Sequence, residues 1–166
     1  MGDSRRIAGP TPEKAQLGPP HRWLRCPRKG QVIAGKFLPL KTPLCPLYDD
    51  QVQERYRFYP KMAFGEESKH IGFWIDLTNT DRYYDPADIE KEGATYKKFN
   101  LRGHGEYPTS EQTEEFIRTC QLFWASSLAN KKKLIAVHCT HGFNRTGFLI
   151  CAYLVQVLNW SSKAKG

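Results

Sequence analysis

The chain has 166 residues, about the length of one domain, which excludes a series of domains within this chain. Hydrophobic residues make up 40% of the chain and aromatic residues 13%, so there is enough apolar surface for a core and a disordered chain is excluded. The 25 Lys and Arg residues outnumber the 17 Asp and Glu residues, and the net charge of +8 favours an anionic partner such as nucleic acid or a phosphorylated substrate.

Residues 1–20 contain four prolines, three glycines and almost no large apolar residues, which predicts a flexible tail ahead of a domain that spans residues 21–166. Residues 35–44 contain prolines that disfavour a helix, so we expect an extended segment at an edge of the domain. The apolar run 71–77 leads into polar residues and predicts a buried strand that ends in a loop.

Further along the chain, a short helix is predicted within residues 83–92 and another strand over residues 94–100. Residues 108–111 carry the signals of a helix start, and apolar residues then recur at helical spacing as far as Trp124. Residues 133–138 predict a second buried strand.

Residues 138–147 form a predicted loop, and the almost entirely apolar residues 148–158 predict a buried helix after it. Because strands alternate with helices, we expect an α/β fold with a central, mainly parallel sheet flanked by helices. Such sheets bind ligands beyond the carboxyl ends of their strands. The loops that follow Leu77 and Val137 are therefore expected at the same edge of the sheet.

The loop after Val137 reads HCTHGFNRTG, in which five residues separate Cys139 from Arg145. A loop that enters a helix directs successive backbone N–H groups inward, and together with the helix dipole these form a phosphate site that also favours a thiolate. We expect the planar guanidinium of Arg145 to bind two phosphate oxygens and to stabilise a phosphoryl group in transfer. Cys139 is therefore the predicted nucleophile.

The other residues of this loop have supporting roles in the prediction. Thr146 is expected to donate its hydroxyl to the sulfur, His138 to orient the loop, and Asn144 to hold its shape. The predicted phosphate-binding residues are Thr140, His141, Gly142, Phe143, Asn144 and Arg145. A zinc site at His138, Cys139 and His141 is disfavoured because adjacent residues do not easily face one tetrahedral ion, so we expect neither a metal nor another cofactor.

More ordinary roles are expected elsewhere in the chain. The four cysteines other than Cys139 fit no functional pattern and are expected in the core, as reduced thiols inside a cell. Lysines 131–133 are expected to be a solvated turn. The longest apolar run, 148–155, is far shorter than the roughly 20 residues of a bilayer crossing, so we expect a soluble protein without membrane contact.

Several segments of the chain resemble one enzyme family. The Cys139 loop resembles the signature of cysteine phosphatases, and its fuller sequence resembles the RNA 5′-triphosphatase domain of metazoan mRNA capping enzymes. The segments that carry this resemblance are HCTHGFNRTGFLICAYL (138–154), RWLRCP (22–27), KFLPLKTPL (36–44), WIDLTNTDRYYDPADIEKEG (74–93) and GHGEYPTSEQTEEFI (103–117). Together they extend the resemblance over residues 22–160.

The resemblance implies removal of the γ-phosphate from nascent mRNA 5′ ends through a phosphocysteine, in the nucleus and without a metal. It implies 5′-triphosphate RNA as substrate and the transcription machinery as a partner. It also implies further C-terminal helices, which we expect to be missing because six residues follow Trp160. The sequence lacks the KxDG motif of the guanylyltransferase domain of capping enzymes, so only the first step of capping is expected.

Two alternative functions stay open, a tyrosine or dual-specificity protein phosphatase and a non-catalytic module that binds phosphate or RNA. A tyrosine phosphatase protonates a phenolate whose conjugate acid has a pKa of about 10, and it carries an Asp for this step. Residues 102–108, where that Asp is expected, contain none. A phosphate leaving group, with a second pKa of about 6, has less need of an acid. Asp76 is expected either to act as an acid, to position water, or only to cap its loop.

Overall fold

The computed structural model describes residues 9–65, 70–103 and 105–161. Within these ranges, a sheet of four parallel strands has the order β1, β4, β2, β3. The strands are β1 (Phe37–Leu40), β2 (Ile71–Asp76), β3 (Thr95–Lys98) and β4 (Leu134–His138). β1 forms one edge of the sheet, as the extended segment 35–44 predicted.

Helices connect and cover the strands. The α-helices of the described ranges are α1 (Pro12–Ala15), α2 (Ala87–Glu90), α3 (Ser110–Ala125) and α4 (Asn144–Gln156). Short 3₁₀ helices occupy Trp23–Arg25, Pro46–Gln51, Glu54–Tyr56, Pro60–Phe64 and Asn130–Lys132. Across the described part of the chain, no helix combines the length and the apolar character that a bilayer crossing requires.

The two faces of the sheet belong to separate cores because successive strand residues point to opposite sides. In β4, Ile135 and Val137 face the core beneath α3 and α4, whereas Leu134 and Ala136 face a second core. That second core is covered by the segments that precede β2 and by α2, with Trp23 fully buried in it. Both faces are thus covered, which confirms the predicted α/β architecture.

α3 begins where the sequence predicted. Thr109 and Gln112 form a capping box, in which Thr109 Oγ1 accepts from the Gln112 backbone N–H at 3.1 Å and Thr109 N donates to Gln112 Oε1 at 2.8 Å. Phe116, Cys120 and Trp124 recur on the helix face that packs on the sheet, and each of them is buried. The helical spacing of these residues therefore predicted the helix correctly.

Residues 9–20 do not form the flexible tail that composition predicted, and residues 1–8 lie outside the described residues. Asp81 accepts from the backbone N–H of Gly9 and from Lys14 Nζ at 2.8 and 2.9 Å, and Ala15 is buried. These partners lie far apart in the chain, so composition alone does not reveal them.

Two other predicted helices have different limits. Within residues 83–92, only α2 is helical, because the chain first turns through Pro86. α4 begins at Asn144 instead of residue 148, since the backbone N–H of Gly147 donates to Phe143 O at 2.7 Å and closes the first turn. The predicted loop 138–147 is therefore shorter, and Arg145 belongs to the helix.

Candidate active site

Cys139 follows β4 directly and begins the phosphate loop, which we define as residues 139–145. Its side chain is only 2% exposed and lies in the core beneath α3 and α4. Thr146 Oγ1 donates a hydrogen bond to Cys139 Sγ at 3.1 Å, and Thr146 is itself fully buried. Because the first turn of α4 supplies this hydroxyl, the earlier helix start fixes the donor against the sulfur.

Arg145 extends across the phosphate loop from the first turn of α4. Its guanidinium donates to Thr140 Oγ1 and to Leu101 O, both at 3.0 Å, and more weakly to Leu77 O at 3.4 Å. A Cβ placed on Gly103 would lie 3.4 Å from the guanidinium carbon, so the loop that leaves β3 packs directly on Arg145. The three carbonyl and hydroxyl acceptors orient the planar group before any anion binds.

The phosphate loop packs tightly against the end of β1. The backbone N–H of Thr42 donates to Thr140 O at 3.1 Å. Gly142 has a φ of +87°, and a Cβ at this position would lie 2.7 Å from Leu40 O. Only glycine combines this left-handed backbone with so close an approach. Gly142 therefore sets the distance between the loop and the sheet.

His138 supports the loop from the opposite face of the sheet. Its Nδ1 lies 3.0 Å from Cys139 O, and because a carbonyl can only accept, Nδ1 carries a proton. Burial lowers the pKa of the His138 imidazole, so the ring is neutral and Nε2 accepts from the Tyr84 hydroxyl at 2.6 Å. Tyr84 O in turn accepts from Trp74 Nε1 at 2.9 Å. This chain of hydrogen bonds fixes the backbone at Cys139.

Asp76 is buried and surrounded by hydrogen-bond donors. Its carboxylate accepts from the Thr78 hydroxyl at 2.7 Å, from the Tyr96 hydroxyl at 2.6 Å and from Lys98 Nζ at 3.1 Å. Burial alone would raise the pKa of the Asp76 carboxyl, but the Lys98 ammonium and the hydrogen bonds of Tyr96 and Thr78 bring it below its ordinary value. The surrounding donors therefore stabilise the ionised form of the Asp76 carboxylate.

The sheet separates this carboxylate from the thiol. Asp76 and His138 are register partners on neighbouring strands, and their side chains lie 3.6 Å apart at the closest ring nitrogen and carboxylate oxygen. Cys139 is the next residue after His138, so its side chain points to the other face. The role of Asp76 as an acid stays a prediction, and its place beside the Tyr84 hydroxyl, which also contacts His138, favours a positioning role.

The structure brings four predicted site residues together, Cys139, Thr140, Arg145 and Thr146. By contrast, the side chains of Phe143 and Asn144 are exposed. The hydrogen-bond partners of Asp76 and His138 were not among the predicted site residues. One of these partners, Lys98, is opposite Asp76 in the register of β3 on β2, so pairing the two predicted strands would have indicated it.

Electrostatics at the phosphate loop favour an anion. α4 is 13 residues long, its positive end faces the loop, and its first turn contains no acidic residue. Arg145 adds a full positive charge at the same loop, where its guanidinium donates to the Thr140 hydroxyl. Together these groups can hold a phosphoryl group against Cys139.

Residues 59–165 match the catalytic domain of dual specificity phosphatases. The chain belongs to this family. Its phosphate loop and parallel sheet are accordingly those of a cysteine-based phosphatase domain, with the thiol at the carboxyl end of β4.

Relatives of this dual specificity phosphatase domain include both capping enzymes and protein phosphatases. An mRNA-capping enzyme of Danio rerio is 56% identical over 90% of this chain, which spans 25% of that relative. A tyrosine-protein phosphatase of Autographa californica nuclear polyhedrosis virus is 36% identical over 83% of this chain and 79% of that protein. The crystal structure of PTPMT1 in complex with PI(5)P has a TM-score of 0.59 at 17% identity, covers 83% of this chain and 78% of that one, and shows the fold alone.

Proposed function

We propose that this phosphatase domain is an RNA 5′-triphosphatase that removes the γ-phosphate of nascent mRNA, the first step of mRNA capping. The similarity to mRNA-capping enzymes along most of the chain carries the proposal. The chain spans about a quarter of the length of these relatives, so the substrate is inferred from the part that matches. The nucleus is the corresponding location, with the transcription machinery as a partner besides the RNA.

The proposed reaction has two steps at Cys139. The thiolate sulfur attacks the γ-phosphorus, the S–P bond forms, and the bond to the β,γ-bridging oxygen breaks with its electron pair on the departing diphosphate end. Water then attacks the phosphorus, the S–P bond breaks, and inorganic phosphate leaves. Arg145 and the loop N–H groups bind the γ-phosphate oxygens, while the Thr146 hydroxyl stabilises the sulfur as leaving group.

The loop between β3 and α3 supports a phosphate leaving group. Leu101 O accepts from Arg145 and Gly103 packs on its guanidinium, so this loop borders the reacting phosphoryl group. Residues 101–108 contain no Asp that would protonate a phenolate. A diphosphate leaves without a proton far more readily than a phenolate does, because it is much less basic.

Protein dephosphorylation is the second candidate function, favoured by the similarity to the viral tyrosine-protein phosphatase. Its substrate presents a phosphate on an aromatic ring, so the leaving oxygen needs a proton from the enzyme or from water. The same phosphate loop binds either phosphate, and the comparison of leaving groups therefore distinguishes the two functions.

The proposal is tested by phosphate release from triphosphate-ended RNA and from a phosphotyrosine peptide, measured side by side with excess EDTA. We expect a higher kcat/KM for the RNA and no effect of the chelator, because Cys139 and Arg145 carry out the transfer. Cys139→Ser should abolish turnover, whereas Cys151→Ser, which removes an exposed cysteine of α4, should not. A higher kcat/KM for the peptide, or RNA binding without turnover, would contradict the proposal.

A further inference from the structure

The net positive charge of the chain comes mostly from one segment. Residues 14–48 contain seven Lys and Arg residues and no Asp or Glu, whereas basic and acidic residues nearly balance in the rest of the chain. This segment therefore accounts for almost the whole net charge of +8. A local excess of this size creates a positive field that attracts polyanions.

The segment borders the phosphate loop. His141 Nε2 lies 2.5 Å from His21 O, which joins the loop directly to the start of residues 21–25. Trp23 Nε1 donates to Thr42 O at 2.8 Å, and the Thr42 N–H donates to Thr140 O in the loop. Two independent connections thus hold residues 21–25 beside the site where the γ-phosphate binds.

Lys41 anchors residues 21–25 through its contacts with Trp23. Its ammonium lies 3.6 Å from the centre of the Trp23 ring and donates to Trp23 O at 3.0 Å, and Lys41 is only 3% exposed. Burial lowers the pKa of Lys41 to about 8. Lys41 is therefore a structural cation that anchors Trp23 rather than a group that faces a ligand.

Several other cations of the segment are already engaged. Lys14 pairs with Asp81, Arg28 donates to the carbonyls of Arg55 and Arg57, and Lys36 lies over the Trp124 ring. By contrast, the cations that flank Trp23 in sequence have no acidic partner within the described residues and are exposed. These are Arg22 and Arg25.

The backbone at Arg22 adds an independent observation. Arg22 has a φ of +65° and a ψ of 6°, the left-handed region that residues other than glycine seldom adopt. Surrounding contacts must hold such a residue in place, and here the buried Trp23 side chain and the His21 contact do so. The two arginines are therefore presented on a fixed turn.

We propose that Arg22 and Arg25 bind the sugar-phosphate backbone of the RNA that follows the triphosphate. This inference rests on the proposed function, because it takes the chain bound at its 5′ end in the phosphate loop to be RNA. Each nucleotide supplies one phosphate, so a fixed pair of cations beside the loop matches a regularly charged strand without reading its sequence. The site then distinguishes a long RNA from a free nucleoside triphosphate.

The test measures the affinity of triphosphate-ended RNA of about 20 nucleotides over a range of salt concentrations, by fluorescence anisotropy in a Cys139→Ser chain that cannot turn it over. The double variant Arg22→Gln/Arg25→Gln should bind more weakly, and its slope of log K against log salt should be smaller by about 1.4, since each single-strand phosphate contact contributes about 0.7. The matched control is Lys131→Gln/Lys132→Gln, which removes the same charge from exposed residues. These residues precede the amino end of β4, whereas the phosphate loop follows its carboxyl end.

An equal slope in both double variants would overturn the inference. It would also be overturned if the arginine variant lost affinity for poly-glutamate but not for RNA. In the chain with Cys139, kcat/KM for the RNA should fall relative to kcat/KM for a nucleoside triphosphate only in the arginine variant. If that chain hydrolyses no RNA while the slopes still differ, the proposed function fails and the binding surface stands. If it hydrolyses RNA and the slopes agree, the proposed function stands and the proposed binding of RNA by Arg22 and Arg25 fails.

Discussion

Cys139 and His138 are neighbours in the chain, yet they face opposite sides of the sheet. The thiol lies beneath α4 with the Thr146 hydroxyl, and the imidazole lies in the second core with Tyr84. Strand geometry imposes this division because successive side chains alternate. In the proposed mechanism Cys139 supplies the nucleophile, and His138 holds the backbone from the opposite face of the sheet.

Arg145→Lys should lower kcat/KM for triphosphate-ended RNA about 100-fold or more, the usual effect of losing one donor that stabilises the transition state. A lysine ammonium cannot reproduce the planar fork, and it also loses the contacts to Thr140 and Leu101. The comparison variant is Arg102→Lys, an exposed arginine of the adjoining loop, which should keep its activity. Equal kinetics in the two variants would place Arg145 outside the site.

Asp76→Asn should destabilise the fold by about 2 kcal/mol, because it leaves the Lys98 ammonium without its carboxylate at a site where Lys98 is still partly exposed. Thermal unfolding measures this loss. The pH profile of kcat/KM should keep its shape while its height falls, since a positioning residue contributes no titrating proton. Loss of one limb of the profile would instead identify Asp76 as an acid or base of the reaction.

At the scale of elements, β2, β4 and α3 were predictable because each carries a complete local signal, an apolar run or a capping box with helical spacing. The start of α4 was not predictable in this way. Gly142 and Gly147 both read as loop residues, but only Gly142 has a left-handed backbone, whereas Gly147 continues the first helical turn. Packing of the loop on β1, which the sequence does not show, decides between the two glycines.

Gly142→Ala should reduce kcat/KM at least about tenfold, because a Cβ 2.7 Å from Leu40 O pushes the phosphate loop away from the sheet and small misplacements of catalytic groups are costly. Gly93→Ala is the matched control. Gly93 also has a positive φ, of +94°, but a Cβ there meets nothing within 4 Å, so it shares the backbone strain without the clash. If both variants slow the reaction equally, backbone strain rather than loop placement is the cause.

For the whole molecule, the alternation of strands and helices predicted the parallel sheet and the edge at which the loops meet. It could not predict which groups surround Asp76, because Tyr96 and Lys98 reach it only through the register of β3 on β2. Nor does the total charge of +8 reveal that residues 14–48 carry most of it, or that residues 21–25 of this segment lie beside the phosphate loop. Both features depend on contacts between distant parts of the chain.

The phosphocysteine intermediate is tested by detecting the phosphoryl group on Cys139. The chain is mixed with RNA that carries a labelled γ-phosphate, the reaction is quenched within one turnover, and the label is located by peptide mass spectrometry. We expect label on the peptide that contains Cys139, none in Cys139→Ser, and none from RNA labelled only at the α-phosphate. Turnover without label on Cys139, or label on another residue, would contradict this intermediate.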